Sequence, residues 1–267
     1  MAMARIRAIA NQKGGVGKTT TGINLAASLA ATKRRVLLID MDPQGNATMG
    51  SGVDKYQLER STLDLMLDRV DIEDVIYPAA DNGYDVIPAN GDLTAAEVEL
   101  IKMPRKEYRL RDALAPIAKR YHYILVDCPP SLNMLTVNAL VAAEGVMIPI
   151  QCEYYALEGL TALMNTIEHI RVSVNRNLEI AGLLRTMFDP RNNLANDVSS
   201  QLISHFGDRV YRTIIPRNIR LAEAPSYGIP ALSHDRSSSG TLAYLALAGE
   251  IIRRDQQAQH KPNQEIS

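Results

Sequence analysis

Tryptophan is absent and phenylalanine occurs twice in 267 residues, so aromatic platforms for stacking nucleic-acid bases are not expected. Cysteine is also scarce: Cys128 and Cys152 sit in apolar surroundings, with no Cys-x-x-Cys spacing. That excludes a disulfide framework and points to structural thiols in a reducing compartment. No apolar run reaches the ~18–20 residues that span a bilayer. The opening Met1-Ala-Met-Ala-Arg-Ile-Arg lacks the apolar stretch of a signal peptide, and a cytoplasmic protein is expected. An excess of charge is missing too, since 29 Lys and Arg against 30 Asp and Glu leave a net charge of -1. Any nucleic-acid contact must therefore come from a local patch. The five histidines are scattered without metal-ligand spacing. What remains is 46% hydrophobic and 22% charged, the balance of an ordinary globular protein able to bury a core without disulfides or metal.

Apolar runs of buried-strand type recur along the chain. Arg5–Ala10, Val36–Asp40, Tyr84–Pro88, Tyr123–Asp127, Gly145–Ile150, Ile180–Met187 and Val210–Ile214 read as strands. Helical patterns lie near Lys18–Thr32, Leu58–Leu67, Asp92–Ile101, Glu107–Lys119, Met134–Ala143, Ala156–Val174, Asn193–Phe206 and Thr241–Arg254. The alternation predicts an α/β fold, a mostly parallel twisted sheet with helices on both faces. There is no internal repeat and no low-complexity linker, so residues 1–254 read as one domain and 255–267 as a polar, flexible tail. The first strand begins at Arg5, so no amino-terminal helix-turn-helix domain is expected.

Lys13-Gly14-Gly15-Val16-Gly17-Lys18-Thr19-Thr20 follows a strand and opens a helix, the context that a phosphate-binding loop requires. Glycines let backbone N–H groups turn inward around phosphate oxygens, and the helix N-terminus favours an anion. Lys18 is placed to reach the β- and γ-phosphates, and the Thr19 hydroxyl to ligate Mg²⁺. Position 12, glycine in the general pattern, is Gln12 here, and Lys13 follows it. This is the deviant Walker A form. Its extra lysine raises the charge facing a nucleotide and could reach one held by a second subunit.

Two acidic strand ends should face that loop. Asp40-Met-Asp42-Pro-Gln-Gly-Asn46 and Asp127-Cys-Pro-Pro-Ser131 each follow an apolar run, and ligands in open α/β sheets bind outside the carboxyl ends of strands. Asp127 fits the Walker B role of holding the Mg²⁺ shell. Asp42 is placed to orient or deprotonate a water and, with Thr19 and Asp127, to lie around the metal. The Pro-Gln-Gly-Asn and Pro-Pro-Ser segments read as stiff switches that could sense a γ-phosphate.

Five blocks, ANQKGGVGKTTTGINLAASLA, VLLIDMDPQGNAT, YILVDCPPSLNMLTVNAL, PIQCEYYALEGL and IIPRNIRLAEAPSYG, together resemble the ParA/MinD family of deviant Walker A ATPases, and within it the ParA (Soj) partition branch. The resemblance runs from Ile6 to about Arg254 and implies an ATP- and Mg²⁺-dependent hydrolase that dimerises around two ATP molecules. It implies that residues Lys13 to Thr20 hold the nucleotide, that Lys13 crosses to the partner's nucleotide, and that Asp42 is the hydrolytic aspartate. Gly14 matches the glycine whose crowding blocks dimer closure. Pro216 and Asn218 fall in the segment that borders the adenine. Arg191 and Arg220 match arginines of a surface that binds double-stranded DNA without sequence preference. A ParB-type partner is implied to stimulate hydrolysis and so release the DNA, which makes the protein nucleoid-associated.

Read from the residues alone, Arg185, Arg191, Arg217 and Arg220 are a cluster that an ordinary solvated face could also supply. Two other functions compete. A membrane-positioning ATPase needs a carboxy-terminal amphipathic helix rich in Leu, Phe and Lys, and the tail DQQAQHKPNQEIS does not qualify. A reductase or ligase on the same fold needs a bridged iron–sulfur cluster or a second substrate pocket. Cys128, beside Asp127, is poorly placed for the former.

Overall fold

The computed structural model describes residues 3–79 and 82–260. Its strands are β1 Arg5–Ile9, β2 Val36–Asp40, β3 Tyr77–Ala79, β4 Tyr84–Ile87, β5 Tyr123–Asp127, β6 Gly145–Gln151 and β7 Glu179–Thr186. They form one sheet in the order β3-β4-β2-β5-β1-β6-β7. Every neighbouring pair is parallel except β3 with β4, at one edge. The helices are α1 Lys18–Ala31, α2 Asn46–Gly50, α3 Thr62–Met66, α4 Thr94–Glu99, α5 Arg109–Leu114, α6 Met134–Ala142, α7 Ala156–Ser173, α8 Asn193–Phe206, α9 Ile219–Glu223, α10 Ala231–His234 and α11 Ser239–His260. The α/β fold expected from the alternation is the fold found.

Helices on both faces explain why the strands are uninterrupted apolar runs. On β2, Leu37 and Ile39 pack with Leu135 and Leu140 of α6 on one face. Val36 and Leu38 pack with Ile23 of α1 and Leu247 of α11 on the other. No residue of β2 is left to face water. Helix α11 is fastened to α1 by a contact of 3.1 Å between the Tyr244 and Thr21 hydroxyls.

Two expectations are corrected. Val210–Ile214 is not a strand. It makes one parallel bridge, Leu183 to Val210, and the N–H groups of Arg212 and Thr213 donate instead to the Glu250 carboxylate of α11, both at 2.9 Å. Helix α11 continues past Arg254 to His260. Asp255 pairs with the buried Arg7 and accepts from the Tyr123 hydroxyl at 2.9 Å, which holds the last turns against the sheet. The remainder of the expected tail, 261–267, lies outside the described residues.

Candidate nucleotide site

The loop between β1 and α1 is braced from outside. Asn11 donates through Nδ2 to the Pro149 carbonyl of β6 at 2.7 Å, and its Oδ1 accepts from Lys13 N at 3.0 Å. Gly15 and Gly17 take φ of 73° and 86°, values that side-chain-bearing residues rarely adopt. A Cβ at Gly14 or Gly15 would meet nothing within 4 Å, so the cradle is open toward a ligand. The first turn of α1 carries no acidic residue, which leaves its N–H groups and positive dipole end for an anion.

Lys18 is 7% exposed, and its ammonium donates to the Lys13 carbonyl at 3.1 Å. Burial pushes it below the ordinary lysine range, and nearby acidic groups, Asp127 first, work against that. Lys13 turns elsewhere. Its Nζ pairs with Glu153 Oε2 at 2.5 Å, on the segment that follows β6.

Asp40 and Asp127 are register partners at the carboxyl ends of β2 and β5. They behave differently. Asp40 is saturated: Oδ1 accepts from Asp42 N at 3.0 Å, and Oδ2 from Thr48 N at 2.8 Å and Thr48 Oγ1 at 2.7 Å. Burial pushes it up to about 6, against those hydrogen bonds. Its work is to fold the Asp42–Thr48 segment back over the strand end. Gly45 closes that turn at φ 61°, with the site of a Cβ only 2.6 Å from the Ala89 carbonyl oxygen. Asp42 is thereby held near Lys18, its Oδ1 accepting from Gln44 N at 2.9 Å.

Asp127 is fully buried, and neither carboxylate oxygen has a hydrogen-bond partner. Burial, then the neighbouring Asp40, pushes it well above the carboxylate range. The neighbouring Thr19 hydroxyl opposes the shift. A buried acid with both oxygens unsatisfied, beside a threonine and a lysine, fits a hydrated Mg²⁺. Among the described residues no group of three metal-ligating side chains exists. Phosphates and water must complete such a centre, as they do for Mg²⁺ in nucleotide sites. Cys128 is buried and its thiol is pushed up by burial, so it is a packing group.

A cavity of about 170 Å³ adjoins the start of α1, lined by Gly17, Thr20, Thr186, Met187, Pro216 and Asn218 among others. Pro216 and Asn218 are thus brought beside the loop. The Asn218 side chain is already engaged, accepting from Arg220 N at 3.0 Å and donating to Ser239 Oγ at 2.9 Å. Met187, one of the lining residues, takes φ of 48°.

Arg191 and Arg220 find their ion-pair partners outside the phosphate loop. Arg191, 88% exposed, forks onto Asp189 and holds that carboxyl down at about 2. Arg220 pairs with Glu223 at 2.8 Å and Asp235 at 3.4 Å. Arg185 is not a surface residue. Its guanidinium is buried against Ser199 and the Tyr211 carbonyl.

Sequence reasoning missed Asn11, Glu153 and Thr186. The Thr186 hydroxyl donates to the Val16 carbonyl at 2.8 Å, pinning the loop to β7. Removing the donor in Thr186→Val is expected to raise the KM for ATP by about 2- to 10-fold, the size of one net hydrogen bond of about 0.5–1.5 kcal/mol, with kcat nearly unchanged. Thr186→Ser should restore it. Steady-state phosphate release checks this, and an unchanged KM in Thr186→Val would remove the role.

A glycine loop at the carboxyl edge of a parallel sheet, opening a helix and facing a buried strand-end acid, defines a P-loop ATPase, and Lys13 makes it one of the deviant Walker A type. A family model described as an AAA domain matches residues 4–180. The chromosome partitioning protein ParA of Caulobacter vibrioides is 52% identical over 259 residues, covering 96% of this chain and 97% of that one. The sporulation initiation inhibitor protein Soj of Bacillus subtilis is 50% identical over 249 residues, covering 93% and 98%. A cobyrinic acid a,c-diamide synthase from Mycobacterium smegmatis, solved with ADP and magnesium, superposes with a TM-score of 0.85 at 35% identity, covering 96% and 97%. The chain belongs to the ParA family of partition ATPases.

Proposed function

We propose that this chain is the ATP-driven switch of a DNA-partition system, with residues 1–254 acting as one ATPase unit. ATP and Mg²⁺ bind at the loop. A homodimer closes over two nucleotides, the dimer binds double-stranded DNA of any sequence on the nucleoid, and hydrolysis stimulated by a ParB-type partner releases it. The observation that carries this reading is the division of labour between two lysines. Lys18 is buried within its own loop, whereas Lys13 rests on Glu153 at an exposed ion pair. Such a pair is worth little, so the Lys13 ammonium is available to a phosphate brought by a second copy.

Within one subunit, Lys18 and the loop N–H groups would hold the β- and γ-phosphates, and Thr19 and Asp127 would hold a hydrated Mg²⁺. Bound there, the metal would supply charge neutralisation at the phosphates. Asp42, fixed by Asp40, orients the attacking water and accepts its proton. The open space at Gly14 supports its place at the dimer contact, because a side chain there clashes with nothing in its own subunit. Arg191 and Arg220 exchange their carboxylate partners for DNA phosphates.

The M. smegmatis structure named a diamide synthase keeps a ligase reading in play. A ligase turns over ATP only with an acceptor to amidate, whereas a partition ATPase turns over without one. Fluorescence anisotropy with unrelated labelled duplexes tests the switch directly. Tight, salt-sensitive binding is expected with ATP and little with ADP. Arg191→Ala or Arg220→Ala should weaken it while light scattering still finds the ATP dimer. Equal affinity with ADP and ATP would sink the switch. Loss of the dimer in an arginine variant would make that residue an interface residue.

A further inference from the structure

The nucleotide site occupies the carboxyl ends of the strands. The opposite end of the same sheet is basic, and no role described above uses it. The neighbouring strands β2, β5 and β1 begin side by side, with Val36 opposite Tyr123 and Tyr123 opposite Arg5. Just ahead of them run Lys33-Arg34-Arg35 and Lys119-Arg120-Tyr121-His122. Arg35 N donates to His122 Nδ1 at 2.9 Å, and His122 N donates to the Arg35 carbonyl at 2.8 Å. The two basic runs are therefore locked together about one strand spacing, ~4.8 Å, apart. A recess of about 340 Å³ lies between them, lined by Arg34, Arg35, Lys119 and His122 among others.

The carboxylates in reach are already taken. Asp255 serves Arg7 and the Tyr123 hydroxyl, Asp85 accepts from the Tyr121 hydroxyl at 2.7 Å, and Glu73 pairs with Arg120. Glu144 pairs with Arg5 at 3.1 Å. Lys33, Arg34 and Lys119 have no carboxylate partner among the described residues. His122 registers the resulting field: burial first, then the charges of Arg35 and Arg34, push it below the ordinary histidine range. In a chain of net charge -1, such a concentration is uneven.

We propose that this rim, centred on Lys33, Arg34 and Lys119, is a second contact site for the phosphodiester backbone of duplex DNA, at the end of the sheet away from the nucleotide. The inference rests on the DNA-binding reading above and adds a surface to it. A duplex fits better than an acidic protein. Of the large apolar side chains that are exposed, only Met3 lines this recess among the described residues. Protein interfaces bury an apolar core, whereas backbone contact to DNA needs little beyond cations. Arg191 and Arg220 each carry acidic partners, so the rim offers the less compensated charge.

The test uses the full chain with ATP and the double charge reversal R34E/K119E, with R34K/K119R as the charge-preserving control. Anisotropy of a labelled duplex is read from about 50 to about 200 mM salt. Loss of two phosphate contacts, those of one copy's rim on the duplex, should lower the slope of log affinity on log salt by about 1.8, at ~0.9 per contact. The gap between wild type and R34E/K119E should then narrow by about tenfold over that salt range, while R34K/K119R follows wild type. ATP turnover and dimer mass should stay unchanged, because neither residue is near the loop. Normal DNA affinity and slope in a folded, ATP-hydrolysing R34E/K119E would overturn the proposal while leaving the DNA-binding reading intact. So would a defect confined to phosphatidylglycerol vesicles, which would assign the rim to a lipid surface. Wild type that fails to bind DNA in any nucleotide state would overturn both.

Discussion

Asp42→Ala is expected to bind ATP like wild type and to form the dimer, but to hydrolyse ATP ~10²–10⁴-fold more slowly, the usual loss when a water-positioning or basic group is removed. The expectation comes from how the residue is held. The Asp42 carboxylate accepts one hydrogen bond, from Gln44 N, whereas the side-chain bonds that fold the Asp42–Thr48 segment over the strand end run through Asp40, Thr48 and the Ala89 N–H. Removing its carboxylate deletes a reactive group and leaves the scaffold standing. The dimer should then persist on DNA. Single-turnover phosphate release and light scattering with ATP are the measurements. Normal hydrolysis would exclude Asp42 from the reaction, and a monomer with ATP would make it a dimer residue instead.

The parts of this site that could be read from sequence are those whose signal is local. Lys13 to Thr20 spell their own conformation, because a strand, three glycines, a lysine and a hydroxyl stand within a few residues of one another. Asp127 is legible because a continuous apolar run tells of a buried strand and its acid marks the carboxyl end. Helix α8 matches its expected span, Asn193–Phe206. Asn192 caps the start by accepting from Ala195 N at 3.3 Å, and Gly207 follows at φ 51°.

What could not be read depends on partners far along the chain. The hydrogen bonds of Asn11 to Pro149, Lys13 to Glu153 and Thr186 to Val16 span 138, 140 and 170 residues. No spacing rule reaches them. The same holds for the failed strand at Val210–Ile214. Its residues have strand propensity, but the Glu250 carboxylate takes the N–H groups that a sheet neighbour would need. The antiparallel β3 escaped for a different reason. It is a three-residue edge strand containing Pro78, and proline is tolerated in a sheet mainly at such an edge. The basic rim was invisible because Lys33–Arg35 and Lys119–His122 become one patch only when β2 and β5 pair.

Lys18→Ala is expected to abolish ATP binding without unfolding the protein. The Lys18 ammonium is the buried cation of the loop, and a charge-assisted contact to a phosphate is among the stronger hydrogen bonds. Two such contacts at about 1.5–3 kcal/mol each weaken binding by about 10²–10⁴-fold. The nucleotide-free fold should tolerate the change, and the sign follows from burial. A lysine pushed below its ordinary range binds its proton less well folded than unfolded. Its charge therefore costs stability in full at pH below the folded-state value, and that cost fades as pH rises from there to the ordinary lysine range, above which it is gone. Alanine removes this cost together with the one hydrogen bond to the Lys13 carbonyl. Thermal melts separate the two effects. ATP at about 100 times its Kd stabilises wild type by about 2.7 kcal/mol. Lys18→Ala should melt near the nucleotide-free wild type and show no rise with ATP. Isothermal titration that found unchanged ATP affinity would remove Lys18 from the site, and a collapsed melt without nucleotide would make it a structural residue instead.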